Sequence, residues 1–432
     1  MEKFVRIVLA EKYDLVVGDT FQLYYNSIIE APDPYIYAIV AICEKGSNYP
    51  RYFEYTPASE GQHKLKIQLY NANREIVGEG ETLLNVVLPC ENNTDVNVLC
   101  IGDSLTANGK WVAEVNRRIS GQGGNPEGLG YSNVHFVGSC QKEGVGFEAF
   151  GGWTWDRFTS DKQGSMWIES PNNRTQEDQH SLWQDENGAI WQLETLQIDY
   201  MKFNRYRDHD SPRPKGGCLT HYKNALNTNP IPILSSSDEK SSPFFDPETH
   251  KIDFKAYAKR NQITKIDAAY IFLGTNGLMR QEAMSRSRHE YCKLVVAEAK
   301  VLVDRLKEDY PDVKVKIISP QLPSPNGALG YAYGAELPFT NGFDIKHYKF
   351  ELRLAYENWT KEPFYRDFME FVDLTGQFDA EYNYPYMEKP VNTRSTQTER
   401  IDTNAAHPTD AGYMQMADAV YRNVIKEFCS QK

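Results

Sequence analysis

The stretch Val96-Asn97-Val98-Leu99-Cys100-Ile101-Gly102-Asp103-Ser104-Leu105 decides how the chain is read. Val96–Ile101 is short and mostly apolar, the pattern of a strand buried on both faces of a parallel sheet. It stops at Gly102 and turns at once into polar residues. Trp111, Val112, Val115 and Ile119 then recur at helical spacing. Similar short runs follow at Val134–Val137, Ala268–Leu273, Val313–Ser319 and Phe371–Leu374. Between and after them lie helical stripes. One runs from Tyr291 to Leu306, one is expected around 345–360, and the clearest runs from Tyr413 through Met416, Val420 and Val424 to Phe428. Strands alternating with helices imply an α/β fold with a flavodoxin-like, doubly wound, mostly parallel sheet.

Upstream the pattern is different. Val-, Ile-, Tyr- and Phe-rich runs at Phe4–Leu9, Thr20–Tyr25, Tyr35–Ile42, Lys64–Tyr70 and Thr82–Val87 are separated by turn signals such as Ala31-Pro32-Asp33-Pro34. Lys64–Tyr70 alternates polar and apolar residues, as a half-buried strand does. Residues 1–92 are therefore expected to form a separate all-β sandwich, immunoglobulin-like, joined by a polar linker at Glu91–Thr94 to an α/β unit over 95–432. Two long segments, about 153–264 and 320–405, interrupt that unit. The first carries Trp153, Trp155, Trp167, Trp183 and Trp191, and its Pro/Ser-rich part over 229–247 reads as loop. Segments this long in a compact domain are usually functional or disordered.

Composition narrows the function classes. The 432 residues hold 47 Lys and Arg against 59 Asp and Glu, a net charge of −12. No basic patch offsets it, so phosphate backbones are repelled and nucleic acid is not an expected partner. No apolar run is long enough to span a bilayer. Met1–Asp14 lacks the form of a secretory signal, and the seven cysteines are scattered without metal-ligand spacing. These features point to a cytoplasmic protein, or an extracellular one if a leader has been removed.

In open α/β sheets, ligands sit beyond the carboxyl ends of the strands. Four segments are expected on that rim: Gly102-Asp103-Ser104-Leu105, Gly151-Gly152-Trp153-Thr154, Gly274-Thr275-Asn276-Gly277 and Asn404-Ala405-Ala406-His407-Pro408. Together they offer a hydroxyl, backbone amides, a side-chain amide and an imidazole. That is the set acyl transfer needs. A serine hydroxyl becomes nucleophilic when a neighbouring base takes its proton, and histidine titrates near neutrality. The tetrahedral oxyanion wants pre-positioned N–H donors. Ser104 is the expected nucleophile and His407 the base, with Ser104 N–H, Gly152 N–H and the Asn276 side chain as oxyanion donors. Taken singly, each has a plainer use. Ser104 could cap a helix, Asn276 could be a turn residue, and Trp155 with its fellow tryptophans could form a small core.

Together the four blocks resemble the SGNH, or GDSL-type, hydrolase superfamily, over about 95–430 apart from the two long segments. The resemblance implies a serine esterase that works through an acyl-enzyme and needs no metal or organic cofactor. It also implies a departure. Members usually carry Asp three residues before the histidine, and here that position is Asn404. An amide oxygen can accept from an imidazole but brings no charge to steady an imidazolium. In a serine protease the same Asp-to-Asn change costs about 10⁴ in turnover, chiefly through the wrong tautomer. Three readings stay open: a Ser–His dyad with a carbonyl oxygen orienting the ring, a triad in which Asp402 reaches the ring, or an inactive site.

Superfamily members that pair such a domain with a β-sandwich are often carbohydrate esterases that remove acetyl groups, so deacetylation of a carbohydrate is the expected reaction. Trp153 and Trp155, next to the oxyanion glycine, are expected to line the substrate pocket, and Arg394 is a candidate for binding an anionic group. The rivals are a lipase or thioesterase of the same fold, and a non-catalytic glycan-binding or structural module with a degenerate site.

Overall fold

The computed structural model describes residues 5–159, 182–184, 190–192, 242–246, 248–249, 251–279, 287–325 and 342–430. At its centre lies Val96–Gly102, buried almost throughout. It pairs in parallel with Ala268–Phe272 on one side and with Val134–Val137 and Val145–Ala149 on the other. Lys314–Ile318 and Met369–Val372 extend the sheet in parallel beyond Ala268–Phe272. Cys140–Lys142 adds an antiparallel edge against Val145–Ala149. With Val134–Val137 and Val145–Ala149 sharing one position beside the central strand, the six parallel strands follow a 2-1-3-4-5 order, that of a flavodoxin-like sheet.

Alternation along the central strand divides the core in two. Leu99 and Ile101 point into one apolar cluster with the helices Arg288–Asp309 and Gly342–Thr360. Val98 and Cys100 point into another with Lys110–Ser120 and Asp410–Phe428. Two of these helices have a side-chain cap that fixes where they start. Ser287 and Glu290 form a capping box for Arg288–Asp309, and Thr409 caps Asp410–Phe428.

The N-terminal residues are strand-rich. A four-stranded sheet runs in the order Lys12–Val16, Ile76–Val87, Gly61–Tyr70, Ala38–Ile42, and a three-stranded one joins Phe21–Tyr24, Tyr52–Tyr55 and Ser47–Asn48. They share an apolar cluster that includes Leu15, Phe21, Phe53, Leu65 and Leu84. Lys12–Val16 was not anticipated, because Lys12 and Asp14 break its apolar pattern, and it pairs in parallel with Ile76–Val87.

These strands do not stand apart from the α/β unit. Tyr13 donates to Asp373 over 2.6 Å, and the fully buried Arg353 grips the same carboxylate through Nε and Nη2 at 3.1 and 3.0 Å. Asp19 accepts from Arg118 and Arg422 at 2.6 and 2.5 Å. Arg51 pairs with Asp379 and Glu381. A Cβ on Gly376 would come within 2.7 Å of the Tyr13 hydroxyl, so the two layers meet at backbone distance. In the first long segment, Leu182–Gln184 and Ile190–Gln192 form an antiparallel hairpin with Trp183 opposite Trp191. Trp167 and most of the Pro/Ser-rich stretch lie outside the described residues.

Removing one partner of a buried, hydrogen-bonded ion pair leaves an uncompensated charge. Urea denaturation should therefore show Arg353→Met losing about 3–5 kcal/mol. Tyr13→Phe should lose about 1–3 kcal/mol, because it removes the hydrogen bond to Asp373 and a long one from Ala10 N–H but leaves the ion pair in place.

Candidate functional site

Ser104 stands where the central strand ends. Gly102 is required just before it, since a Cβ there would collide with the Thr106 side chain. Asp103 then caps the short helix Ser104–Ala107, its Oδ1 accepting from Leu105 N–H at 3.0 Å. The capping role considered for Ser104 is thus filled by its neighbour, and the serine hydroxyl faces elsewhere. Its Oγ lies 2.8 Å from His407 Nε2, across 303 residues of sequence.

The loop that carries His407 is shaped by Asn404. Its Oδ1 accepts from the main-chain N–H groups of Ala406 and His407 at 2.8 and 2.9 Å. That is the local turn an Asn side chain readily makes. The amide oxygen is therefore spent on the backbone, not on the ring. Asp402 is buried, with one carboxylate oxygen on Arg400 Nε at 2.8 Å and the other against the Ser324 hydroxyl. Among the described residues no side chain or carbonyl hydrogen-bonds His407 Nδ1. Neither acid candidate reaches the imidazole. Burial, with the nearby Lys349 charge, holds the imidazole below its ordinary range.

The oxyanion candidates gather around the same serine. Phe150 N–H donates to Gly102 O and Trp153 N–H to Phe150 O, both at 3.2 Å, which folds the glycine turn back on the strand end. Gly152 takes φ +77°, in the left-handed region that suits glycine, and its N–H has no acceptor among the described residues. A Cβ on Gly151 would lie 3.9 Å from Ser104 Cβ. Asn276 Nδ2 donates to Asp103 Oδ2 and to Trp153 O, each at 3.1 Å. Both amide hydrogens are thus engaged by protein, and an oxyanion would have to displace Trp153 O to recruit one. Asp103, buried against this amide, has its carboxyl pushed up to about 7 by desolvation, opposed by Leu105 N–H and Lys349.

The expected substrate-facing residues part company. Trp153 is half-buried, its ring 4.3 Å from that of Phe150 and 4.9 Å from that of Phe158. Trp155 is only 1 % exposed and donates from Nε1 to Tyr356 Oη at 2.7 Å. It packs the core instead of lining a pocket, because an indole with a buried acceptor is well satisfied there. Arg394 is exposed in the turn of the hairpin Tyr386–Pro390 and Thr398–Asp402. Pairing of Tyr386 with Asp402 marks the base of that hairpin, so Arg394 lies more than about 13 Å along it from Asp402 at the usual rise per residue.

Sequence reading missed the helix Gly342–Thr360 as part of the site. Tyr348 donates to Gly274 O at 3.1 Å and Tyr356 to Leu273 O at 3.0 Å, so the helix holds the loop that carries Asn276. Lys346, Lys349 and Arg353 stand on it at helical spacing, and although Lys and Arg are mostly exposed in proteins, all three are buried. Next to it, Glu30, His347 and Glu351 converge closely enough to suggest metal ligands. Arg6 already bridges both carboxylates at 2.5 and 2.6 Å, so a guanidinium already occupies the cluster.

The family model for GDSL-like lipase/acylhydrolase matches residues 98–420. No curated protein matches the chain. Among solved structures, it is similar to Est24, a carbohydrate acetylesterase from Sinorhizobium meliloti, at 13 % identity over 77 % of this chain and 100 % of that one, TM-score 0.34. A family 3 carbohydrate esterase from Clostridium thermocellum gives 13 % identity, 78 % and 100 % coverage, TM-score 0.35. A family 2 carbohydrate esterase with a carbohydrate-binding domain, from Corynascus thermopiles (Myceliophthora fergusii), gives 13 % identity, 98 % and 99 % coverage, TM-score 0.32. Likenesses at these TM-scores bear on neither site nor substrate. The family match runs from the first parallel strand into the last helix, well over half of the chain, and on it the chain belongs to the GDSL-like lipase/acylhydrolase family and is a hydrolase of carboxylic esters.

Proposed function

We propose that Ser104 and His407 act as a catalytic dyad that cleaves short-chain carboxylic esters, with acetylated carbohydrate as the natural substrate class. The observation that carries the dyad is the 2.8 Å contact between Ser104 Oγ and His407 Nε2, on a ring whose other nitrogen has no carboxylate partner among the described residues.

Ser104 gives its proton to Nε2 as Oγ attacks the ester carbonyl carbon. The carbonyl oxygen becomes an oxyanion beside the N–H groups of Ser104 and Gly152, and Asn276 Nδ2 joins them on leaving Trp153 O. Active-site hydrogen bonds often tighten only when substrate is bound. The tetrahedral intermediate collapses as the C–O bond to the alcohol breaks, and His407 returns its proton to the leaving oxygen. Water then repeats the cycle on the acyl-enzyme. It gives a proton to His407, attacks the acyl carbon and releases the acid with Ser104 restored.

The carbohydrate reading draws support from Trp153, which directly follows Gly152 and is half-buried. Flat rings suit the apolar faces of sugars.

Hydrolysis of p-nitrophenyl acetate, butyrate and octanoate separates the rivals. Acetate should be the best substrate, and Ser104→Ala and His407→Ala should each lower kcat/KM by roughly 10⁴ or more. Asp402→Asn should stay within about threefold, whereas Asn404→Ala, which frees the histidine loop, should lose about tenfold. A fatal loss in Asp402→Asn with the fold intact would restore a triad. Preference for octanoate would favour the lipase reading, and no turnover of any ester would leave a binding module.

A further inference from the structure

Lys349 is buried where packing alone would favour an apolar residue. It is 1 % exposed, and among the described residues its only hydrogen-bond acceptor is Gln321 O, at 2.7 Å. An ammonium has three donors to satisfy and is costly to bury with one acceptor. Gln321, itself fully buried, passes the contact on, since its Nε2 donates to Ala406 O at 2.9 Å. Ala406 is bonded to Asn404 and immediately precedes His407. The same helix holds the Asn276 loop through Tyr348 and Tyr356. One rigid element therefore reaches both the oxyanion side and the base side of the site.

We infer that Lys349 is a positioning residue for the Ser104–His407 pair, acting through Gln321 on the histidine loop and supplying buried positive charge beside an imidazole that no carboxylate among the described residues supports. The inference rests on the dyad reading above.

The charge has a definite sign of effect. The titratable groups facing this spot are His407 on its loop, Asp103 on the strand-end turn, Lys349 and Tyr356 on the Gly342–Thr360 helix, and Tyr413 on the last helix. Burial lowers Lys349 to about 7 and raises Asp103 to about 7. Below that pH the lysine keeps its proton while the carboxyl is neutral. In the range where imidazole titrates, the local charge is then positive, which opposes imidazolium and keeps His407 in its base form to lower pH. A carboxylate partner would do the reverse.

The test is the pH dependence of kcat/KM on p-nitrophenyl acetate between pH 4 and 8, with folding checked by circular dichroism. Wild type should show an acid limb below about 6.5, the ordinary imidazole value. Lys349→Met should move that limb up towards about 6.5 and lower kcat by roughly tenfold or more, with KM within about twofold. Lys349→Arg, which keeps the charge, should restore the low limb. Gln321→Ala keeps the lysine and its main-chain acceptor but cuts the link to Ala406, so kcat should fall without a shift of the limb. A folded Lys349→Met with unchanged kcat and acid limb overturns the inference. If that variant does not fold, unchanged kcat in Gln321→Ala overturns it alone. Turnover that survives in Ser104→Ala would instead overturn the dyad reading beneath it.

Discussion

A serine hydrolase needs an imidazole that stays neutral enough to accept a proton and stays pointed at the hydroxyl. A carboxylate on the far ring nitrogen usually does both tasks. In this protein that nitrogen has no such partner among the described residues, and the rest of the site reads as a response to that constraint. Orientation comes from the loop itself. Asn404 ties two consecutive main-chain N–H groups, and Gln321 holds the carbonyl that lies between them, just before His407. Neutrality comes from burial and from a positive charge nearby.

This arrangement depends on the helix Gly342–Thr360 more than on any strand. Its polar side chains point inward at spacings of three to four residues. Lys346 reaches Asn26 in the N-terminal layer, Lys349 reaches Gln321, and Arg353 reaches Asp373. Buried ion pairs add little net stability over well-packed apolar residues, but they are unforgiving of misplacement. With that ion pair at Arg353–Asp373 and two buried lysines held by neutral acceptors on Asn26 and Gln321, the helix has one seat. The N-terminal layer contributes to that seat through Asn26 and Tyr13, so it helps set the position of the loop that carries Asn276 although it lies outside the family match.

Much of this was legible in the sequence. Five parallel strands, three long helices and four polar blocks at the strand ends could be read from period, length and Gly, Ser, Asn and His placement. The four blocks do converge, as the Ser104–His407, Asn276–Asp103 and Asn276–Trp153 contacts show. What escaped has physical reasons. Val145–Ala149 is short and contains Gly146 and the buried Glu148, whose carboxylate is satisfied by Ser139 N–H and the Tyr257 hydroxyl. Three cations at helical spacing read as a solvated face unless their acceptors, tens to hundreds of residues away, are known. Trp155 close to the candidate oxyanion glycine reads equally as pocket or core, and the Tyr356 hydroxyl decides for core. Asn404 is the clearest case. An Asn side chain can hold a ring or a backbone turn, and only geometry tells which.

The most direct test of the dyad is the site of covalent capture by a serine-reactive phosphonate, read by peptide mass. A single adduct on Ser104, lost in His407→Ala and retained in Asp402→Asn, is what a serine activated by an unassisted imidazole predicts. An adduct on another residue, or labelling of Ser104 that does not depend on His407, would contradict it.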